Sequence, residues 1–195
     1  MRILDVLAAL MLAALPAALL FWFLIHPFAA FWRGLGPIVS YTAVSAVCLA
    51  VVAAIWSARE ELMATHFGYR PLNVAIGGAL LAAGALWDWR VLRKLTLPVL
   101  AGLPELSNRA QSRLLTDGPY AIVRHPRYFG ALLGITGFAI VCNYLWLYAV
   151  VAASIPLGWL MVELEERELR ERFGDAYVEY CRRVPRFLPR RRRGV

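Results

Sequence analysis

Charged side chains are scarce in this sequence. Asp, Glu, Lys and Arg make up 17% of the 195 residues, and 61% are hydrophobic, against roughly 25% charged and 45–50% apolar in soluble domains. A soluble fold of this length would lack the polar side chains to cover its surface, whereas a lipid-facing exterior needs few of them. The composition therefore excludes an ordinary soluble domain, and the abundance of apolar residues excludes a disordered chain.

Cysteine is also rare. The three cysteines, Cys48, Cys142 and Cys181, lie far apart in the sequence. Their spacing matches neither a disulfide framework nor a cysteine-based zinc site. The sequence therefore predicts no structural metal and no disulfide scaffold.

Long stretches contain no Asp, Glu, Lys or Arg. Two of them, residues 6–32 and 34–58, exceed the roughly 20 residues that cross a hydrocarbon core. A third apolar stretch ends in Trp87 and Trp89 followed by Arg90, a pattern typical of a membrane interface. We place helical spans near Val6–Ile25, Ile38–Ser57 and Leu72–Trp89.

The longest charge-free stretch, residues 128–162, has 35 residues. A single helix of that length would extend about 52 Å, too long for a hydrocarbon core of about 30 Å. We expect a helical hairpin that turns near Asn143, with a short first arm in which Gly130 and Gly134 allow close helix packing. The sequence thus predicts an all-α integral membrane protein with about five transmembrane helices, of which the last two form a hairpin.

The basic residues cluster on either side of this hairpin. Residues 90–127 contain 7 of the 21 Lys and Arg residues, and residues 163–195 contain 10. The positive-inside rule places both segments in the cytoplasm, and the three preceding spans place the N-terminus on the opposite side. We therefore divide the chain into residues 1–89, with three N-terminal membrane spans, and residues 90–195, with the cytoplasmic loop, the membrane hairpin and the C-terminal helix and basic tail. The basic tail indicates anionic lipid as a partner rather than nucleic acid.

Polar residues of opposite charge flank the hairpin. Pro126 suits the first position of a helix, whose N-terminus, beside Arg124 and His125, can bind a carboxylate or phosphate. Glu165 and Glu166 directly follow the apolar second arm, where burying a charge is costly. These acidic residues could belong to a solvated helix. Alternatively, the two groups clamp a zwitterionic ligand at the cytoplasmic surface of the membrane.

Several motifs occur in order between about residues 84 and 190. They are Gly118-Pro119-Tyr120, Arg124-His125-Pro126-x-Tyr128-x-Gly130, Asn143, Glu165-Glu166-x-x-Leu169, Phe173-Gly174, Tyr177, Tyr180, Val184-Pro185 and Pro189. Each motif alone is weak, but together they resemble the isoprenylcysteine carboxyl methyltransferase family and the related phospholipid methyltransferases.

The resemblance implies a membrane enzyme that uses S-adenosylmethionine, with residues 90–195 as its catalytic region. Its cofactor site would be formed by the cytoplasmic connecting segment, the hairpin and the C-terminal helix, without a metal. The implied cofactor-binding residues are Tyr120, Val123, Arg124, His125, Tyr128, Gly130, Glu165 and Glu166, with Arg124 and Glu166 also catalytic. Two interpretations of these residues stay open, because His125 could simply cap the helix and Tyr120 and Tyr128 could be interfacial anchors.

The acceptor would be a lipidic or prenylated molecule that reaches the site from the bilayer. Carboxyl O-methylation is the first hypothesis. A carboxylate needs no general base, whereas a protonated amine must first lose a proton. His125 is assigned to the cofactor, and residues 84–190 contain no second histidine that could act as the base. The alternatives are N-methylation of an aminophospholipid, a nicotinamide-dependent reaction as in the partly similar sterol reductases, and a non-catalytic membrane protein with a lipid-binding tail.

Overall fold

The computed structural model describes residues 2–25, 27–95 and 114–188. In these residues the chain is helical, without a named strand. The helices are α1 (Ile3–Ile25), α2 (Ala29–Leu35), α3 (Pro37–Ser57), α4 (Arg59–Leu62), α5 (Pro71–Leu92), a 3₁₀ helix (Gly118–Ala121), α6 (Pro126–Cys142), α7 (Leu145–Phe173) and α8 (Asp175–Arg183).

Four of the helices in the described ranges, α1, α3, α5 and α7, are long and apolar enough to cross a membrane. Three of them contain the three predicted spans, so that prediction is confirmed. The side chains of these helices are mostly exposed within the bundle, as expected for surfaces that face lipid. Helix α6 is apolar but has only 17 residues, about 26 Å of helix. A fifth crossing by α6 stays a prediction.

The predicted hairpin turn is confirmed at Asn143. This residue adopts the left-handed conformation, with φ of 56°, directly after α6 ends. The Asn143 side-chain amide donates to the carbonyl of Gly68 at 2.7 Å, and the Asn143 carbonyl accepts from the Phe67 amide at 3.0 Å. Asparagine tolerates positive φ better than most residues, so this position suits it. These bonds tie the turn to the segment between α4 and α5.

Helices α5 and α6 form the most extensive helix pair and pack antiparallel. A Cβ added to Gly77 would lie 2.5 Å from the Gly137 carbonyl oxygen, and one added to Gly84 would lie 3.0 Å from the Gly134 amide nitrogen. The predicted close approach through small residues is therefore present. The close packing of α5 and α6 depends on Gly77 and Gly137, which the sequence motif did not include. Gly134 of the motif needs no glycine for space, because a Cβ there would meet no atom within 4 Å.

Polar contacts fix which ends of the helices lie together. The Asp5 carboxylate, at the start of α1, accepts hydrogen bonds from the hydroxyls of Tyr69 at 2.5 Å and Tyr144 at 2.9 Å. The N-terminus of α1, the start of α5 and the hairpin turn thus share one end of the bundle. The end of α5, the start of α6 and the acidic part of α7 lie at the other end, which is the end that carries the candidate site.

Helix α7 continues through the acidic segment without a break. The apolar second arm of the hairpin and the charged residues 163–173 differ in composition, but together they form one helix of 29 residues. Gly174, with φ of 52°, ends α7 and begins α8. Tyr177, Tyr180 and Val184 then pack against the outer part of α7 in a small buried cluster. This fold-back directs the chain after α8 toward the start of α6.

Candidate active site

The segment before α6 is held by contacts on both sides. Gly118, with φ of 60°, opens the 3₁₀ helix, and the preceding Asp117 forms an ion pair with Lys94 at 2.6 Å. The Tyr180 hydroxyl donates to the Tyr120 carbonyl at 2.6 Å, and the Val123 side chain is buried. These contacts fix the chain just before the Arg124-His125-Pro126 segment.

The C-terminal strap, which we define as residues 184–188, crosses the start of α6. The Arg124 amide donates to the Pro185 carbonyl at 2.8 Å, and the His125 amide donates to the Arg186 carbonyl at 3.2 Å. Helix α6 begins at the next residue, Pro126, without a side-chain cap. The hypothesis that His125 caps α6 therefore finds no support, because its side chain turns toward α7 instead.

Glu166 is the centre of the site. Its side chain has no exposed surface, yet its carboxylate is surrounded by cations. Oxygen Oε1 accepts from Arg124 Nη2 at 2.8 Å and from Arg186 Nε at 3.1 Å, and lies 3.1 Å from His125 Nε2. Oxygen Oε2 accepts from Arg186 Nη2 at 2.6 Å and from Arg170 Nη2 at 3.1 Å. A buried carboxylate needs this compensation, because an unpaired charge in such a place is strongly destabilising.

His125 lies between two carboxylates. Its Nε2 faces Glu166, and its Nδ1 lies 3.5 Å from Glu165 Oε2. Burial of the ring lowers the pKa of His125, but hydrogen bonds and charges from the two glutamates outweigh burial and raise the pKa above its ordinary value of 6.5. The site therefore favours an imidazolium with both ring nitrogens protonated.

Arg124 is also saturated by protein partners. Besides its contacts with Glu166, Nη1 donates to the carbonyls of Val184 at 2.7 Å and Cys181 at 3.2 Å. Only 11% of its side chain is exposed. Arg124 thus joins the start of α6 to the end of α8 through a single guanidinium.

Arg186 also belongs to the cluster around Glu166, although no motif in the sequence pointed to it. Its guanidinium contacts Glu166, forms an ion pair with Glu163 at 3.0 Å and lies over the Trp159 ring at 4.9 Å. The hydrogen bond and charge of Glu166 raise the pKa of Arg186 further. Arg186 directly follows the Val184-Pro185 motif. That position was the only feature of the sequence that could have indicated a role for it.

The other predicted residues surround this cluster. Tyr128 is half-buried with its ring 5.9 Å from that of His125, and burial raises the pKa of the half-buried Tyr120 to about 12. Gly130 instead faces α5, where an added Cβ would collide with Asp88. The structure therefore brings Arg124, His125, Glu165 and Glu166 into direct contact. Within the described ranges, no group of three His, Cys, Asp or Glu side chains could hold a metal ion.

Comparison with known proteins gives several partial matches. The model of the phospholipid methyltransferase family matches residues 72–176, a range that contains all the predicted site residues. Cobalt-zinc-cadmium resistance protein CzcN of Cupriavidus metallidurans is 38% identical over 86 residues, or 44% of this chain and 39% of that protein. Protein-S-isoprenylcysteine O-methyltransferase B of Arabidopsis thaliana is 33% identical over 105 residues, or 51% and 53% of the two chains. A delta(14)-sterol reductase of Mus musculus is 32% identical over 95 residues, or 47% and 23%.

The matches with these relatives span about half of their length or less. No solved structure matches the chain.

Proposed function

Because the chain belongs to the phospholipid methyltransferase family, we propose that it transfers a methyl group from S-adenosylmethionine to an acceptor held in the membrane. Family membership confirms the resemblance seen in the sequence. The observation that carries the proposal is the convergence of Arg124, His125, Glu165 and Glu166 at one end of an apolar helix bundle. The end of an apolar bundle is the place where a soluble cofactor and a lipidic acceptor would meet.

The chemical types of the residues fit S-adenosylmethionine. Its ammonium and ribose hydroxyls need acceptors such as carboxylates, and its carboxylate needs cations or helix N-terminal amides. Glu165 keeps 30% of its side chain exposed, and Tyr120 and Tyr128 are half-buried, with the Tyr128 ring beside that of His125. We assign cofactor contact to these three residues and to the start of α6.

The bound cofactor supplies an electrophilic methyl group on a sulfonium, which needs alignment and exclusion of water rather than a covalent enzyme intermediate. The protein would provide that alignment through the buried ion pairs. The resemblance implies catalytic roles for Arg124 and Glu166, but both are saturated by protein partners. We therefore propose that they are positioning residues, which hold the start of α6 and His125 against α7.

Carboxyl O-methylation remains our first hypothesis for the acceptor. Isoprenylcysteine O-methyltransferases are among the relatives, and an anionic carboxylate can attack without losing a proton. One observation favours the alternative, N-methylation of an aminophospholipid. Asp88 lies against Gly130 at the same end of the bundle, and it supplies a carboxylate that could accept a proton from an amine.

The experiment is methyl transfer by the purified protein in liposomes made from total membrane lipid, with methyl-labelled S-adenosylmethionine and, in a parallel sample, an added prenylated peptide. We expect label in the lipid phase, released as methanol by alkali if the product is an ester. Label that survives alkali and comigrates with a methylated aminophospholipid would replace the carboxyl hypothesis by the alternative. No transfer to any lipid or prenylated peptide would contradict the proposed function.

His125→Ala tests whether the observed transfer uses this site. We expect transfer to be lost, because His125 contacts both glutamates of the site. His66→Ala is the matched control, since His66 lies beside the hairpin turn at the opposite end of the bundle, with its Nε2 3.1 Å from the Cys142 carbonyl. Transfer that persists in His125→Ala would exclude this site.

A further inference from the structure

Asp88 and Arg127 carry opposite charges at the end of the bundle that contains the site, but they do not form an ion pair. Asp88 lies near the end of α5, and Arg127 lies in the first turn of α6. The Asp88 carboxylate lies against Gly130, and Arg127 lies three residues before Gly130 on the same helix. Among the described residues, however, no hydrogen bond or ion pair engages either side chain. Both are half-buried.

The contacts of α5 hold the Asp88 carboxylate beside the start of α6. The neighbouring Trp87 donates through Nε1 to the Pro126 carbonyl at 2.8 Å, and its ring packs edge-on against Phe129 at 5.2 Å. The carboxylate of Asp88 lies over the Cα of Gly130, in space that a Cβ at position 130 would occupy. Glycine at position 130 therefore makes room for a carboxylate on the face of α6 toward α5.

Arg127 contrasts with the two arginines bonded to Glu166. Arg124 and Arg186 use their guanidinium groups on carboxylates and carbonyls. The Arg127 guanidinium lies 5.7 Å from the Trp22 ring of α1 and, among the described residues, donates no hydrogen bond. Five N–H donors of a half-buried guanidinium need acceptors. Ionisable residues at membrane depth usually pair or bind a ligand.

We propose that Asp88 and Arg127 form a binding subsite for a zwitterionic group, with Arg127 binding its anion and Asp88 its ammonium. Such a group occurs in two molecules that the proposed function brings here. One is the amino-acid end of the cofactor, with a carboxylate and an ammonium. The other is an aminophospholipid headgroup, with a phosphate and an ammonium. The cofactor assignment rests on the proposed function, and the lipid assignment does not.

The variants are Asp88→Asn and Arg127→Gln, which remove one charge each; the first keeps the side-chain size and the second shortens the side chain. The matched control is Arg93→Gln, because Arg93 also lies over a tryptophan ring near the end of α5, 5.0 Å from Trp89, but is exposed. All variants are purified in one detergent and compared by size exclusion. Arg127→Lys serves as a second variant, which keeps the charge and should keep most of the binding.

The cofactor arm compares two probes by calorimetry. S-adenosylhomocysteine carries the amino-acid end, and methylthioadenosine lacks it. If the cofactor occupies the subsite, Asp88→Asn and Arg127→Gln weaken S-adenosylhomocysteine binding at least tenfold, about 1.4 kcal/mol. Methylthioadenosine binding stays unchanged in both variants.

The lipid arm measures bound phosphatidylethanolamine and phosphatidylglycerol by native mass spectrometry. If a headgroup occupies the subsite, Asp88→Asn weakens binding of phosphatidylethanolamine only, because phosphatidylglycerol has no ammonium. Arg127→Gln weakens binding of both lipids. Variants that match Arg93→Gln in both arms would overturn the subsite. Failure of the wild type to bind S-adenosylhomocysteine would count against the proposed function, and the lipid arm would still decide the subsite.

Discussion

Glu166 illustrates how a membrane protein accommodates a buried charge. The residue follows the apolar part of α7, and its carboxylate contacts Arg124, His125, Arg170 and Arg186. Three of these partners lie on other elements, so their contacts join α6, α7 and the C-terminal strap. The carboxylate thus stabilises the site because its ion pairs hold the surrounding cationic side chains in place.

Glu166→Gln should therefore destabilise the whole site. Loss of the negative charge leaves several cations without their partner, and breaking a buried pair in this way costs about 3–5 kcal/mol. We expect a lower melting temperature in detergent and loss of S-adenosylhomocysteine binding. Glu171→Gln on the exposed surface of the same helix should change neither. Wild-type stability in Glu166→Gln would show that the network contributes little.

His125 should make stability depend on pH. Its folded-state pKa is raised above 6.5 by Glu165 and Glu166, so its stabilising contribution is fully present below pH 6.5. The contribution is lost as the pH rises through the folded-state pKa. The difference in melting temperature between wild type and His125→Gln should be larger at about pH 6 than at about pH 9. A difference that grows with pH would mean that the neutral imidazole is the favoured form.

The sequence indicated which residues lie together in this cluster better than it indicated their contacts. Arg124, His125, Glu165 and Glu166 were singled out because their motifs are local, and the structure brings them together. Their functional roles stay a prediction. Arg186 was missed because its partners Glu163 and Glu166 lie about 20 residues earlier, across the break at Gly174. Such a contact depends on how α8 folds back, and no spacing in the sequence encodes it.

At the scale of the helices, glycines determine how closely α5 and α6 pack. Gly77 and Gly84 on α5 are seven residues apart, and Gly130 and Gly137 on α6 have the same spacing. In an antiparallel pair this spacing places the four glycines along one interface. The sequence predicted the Gly130 and Gly134 motif, but the partner glycines depend on the register between the helices, which the motif alone does not give.

Alanine substitutions at adjacent glycines of α5 test this interface. A Cβ at Gly77 would overlap the backbone of α6, whereas one at Gly78 would meet no atom within 4 Å. Gly77→Ala should cost about 1–3 kcal/mol by overpacking and lower the melting temperature. Gly78→Ala should be neutral or slightly stabilising, because alanine is the better helix former. Equal changes in melting temperature for the two substitutions would contradict this register between α5 and α6.

At the scale of the whole molecule, the chain places its polar contacts at two opposite ends. Asp5, Tyr69 and Tyr144 join at one end, and the Glu166 cluster forms at the other. The hairpin follows from the length of the charge-free stretch and the basic residues on both sides of it, so it could be predicted. The short helices α2 and α4 were not predicted, since each is less than three turns long and has no periodic pattern.

Labelling of single introduced cysteines tests the sidedness of the protein. With the native cysteines replaced, cysteines at positions 93 and 182 should react with a membrane-impermeant reagent from the cytoplasmic side. A cysteine at position 64, in the exposed segment between α4 and α5, should react only from the opposite side. Opposite accessibility of positions 93 and 182 would contradict the hairpin topology.

We propose that the Glu166 cluster builds a site for S-adenosylmethionine. Calorimetric titration of the purified wild-type protein with S-adenosylhomocysteine tests this proposal, with NADPH as comparator because a sterol reductase is among the relatives. We predict saturable binding of S-adenosylhomocysteine at one site and no heat of binding with NADPH. Saturable binding of NADPH without binding of S-adenosylhomocysteine would contradict a methyltransferase site.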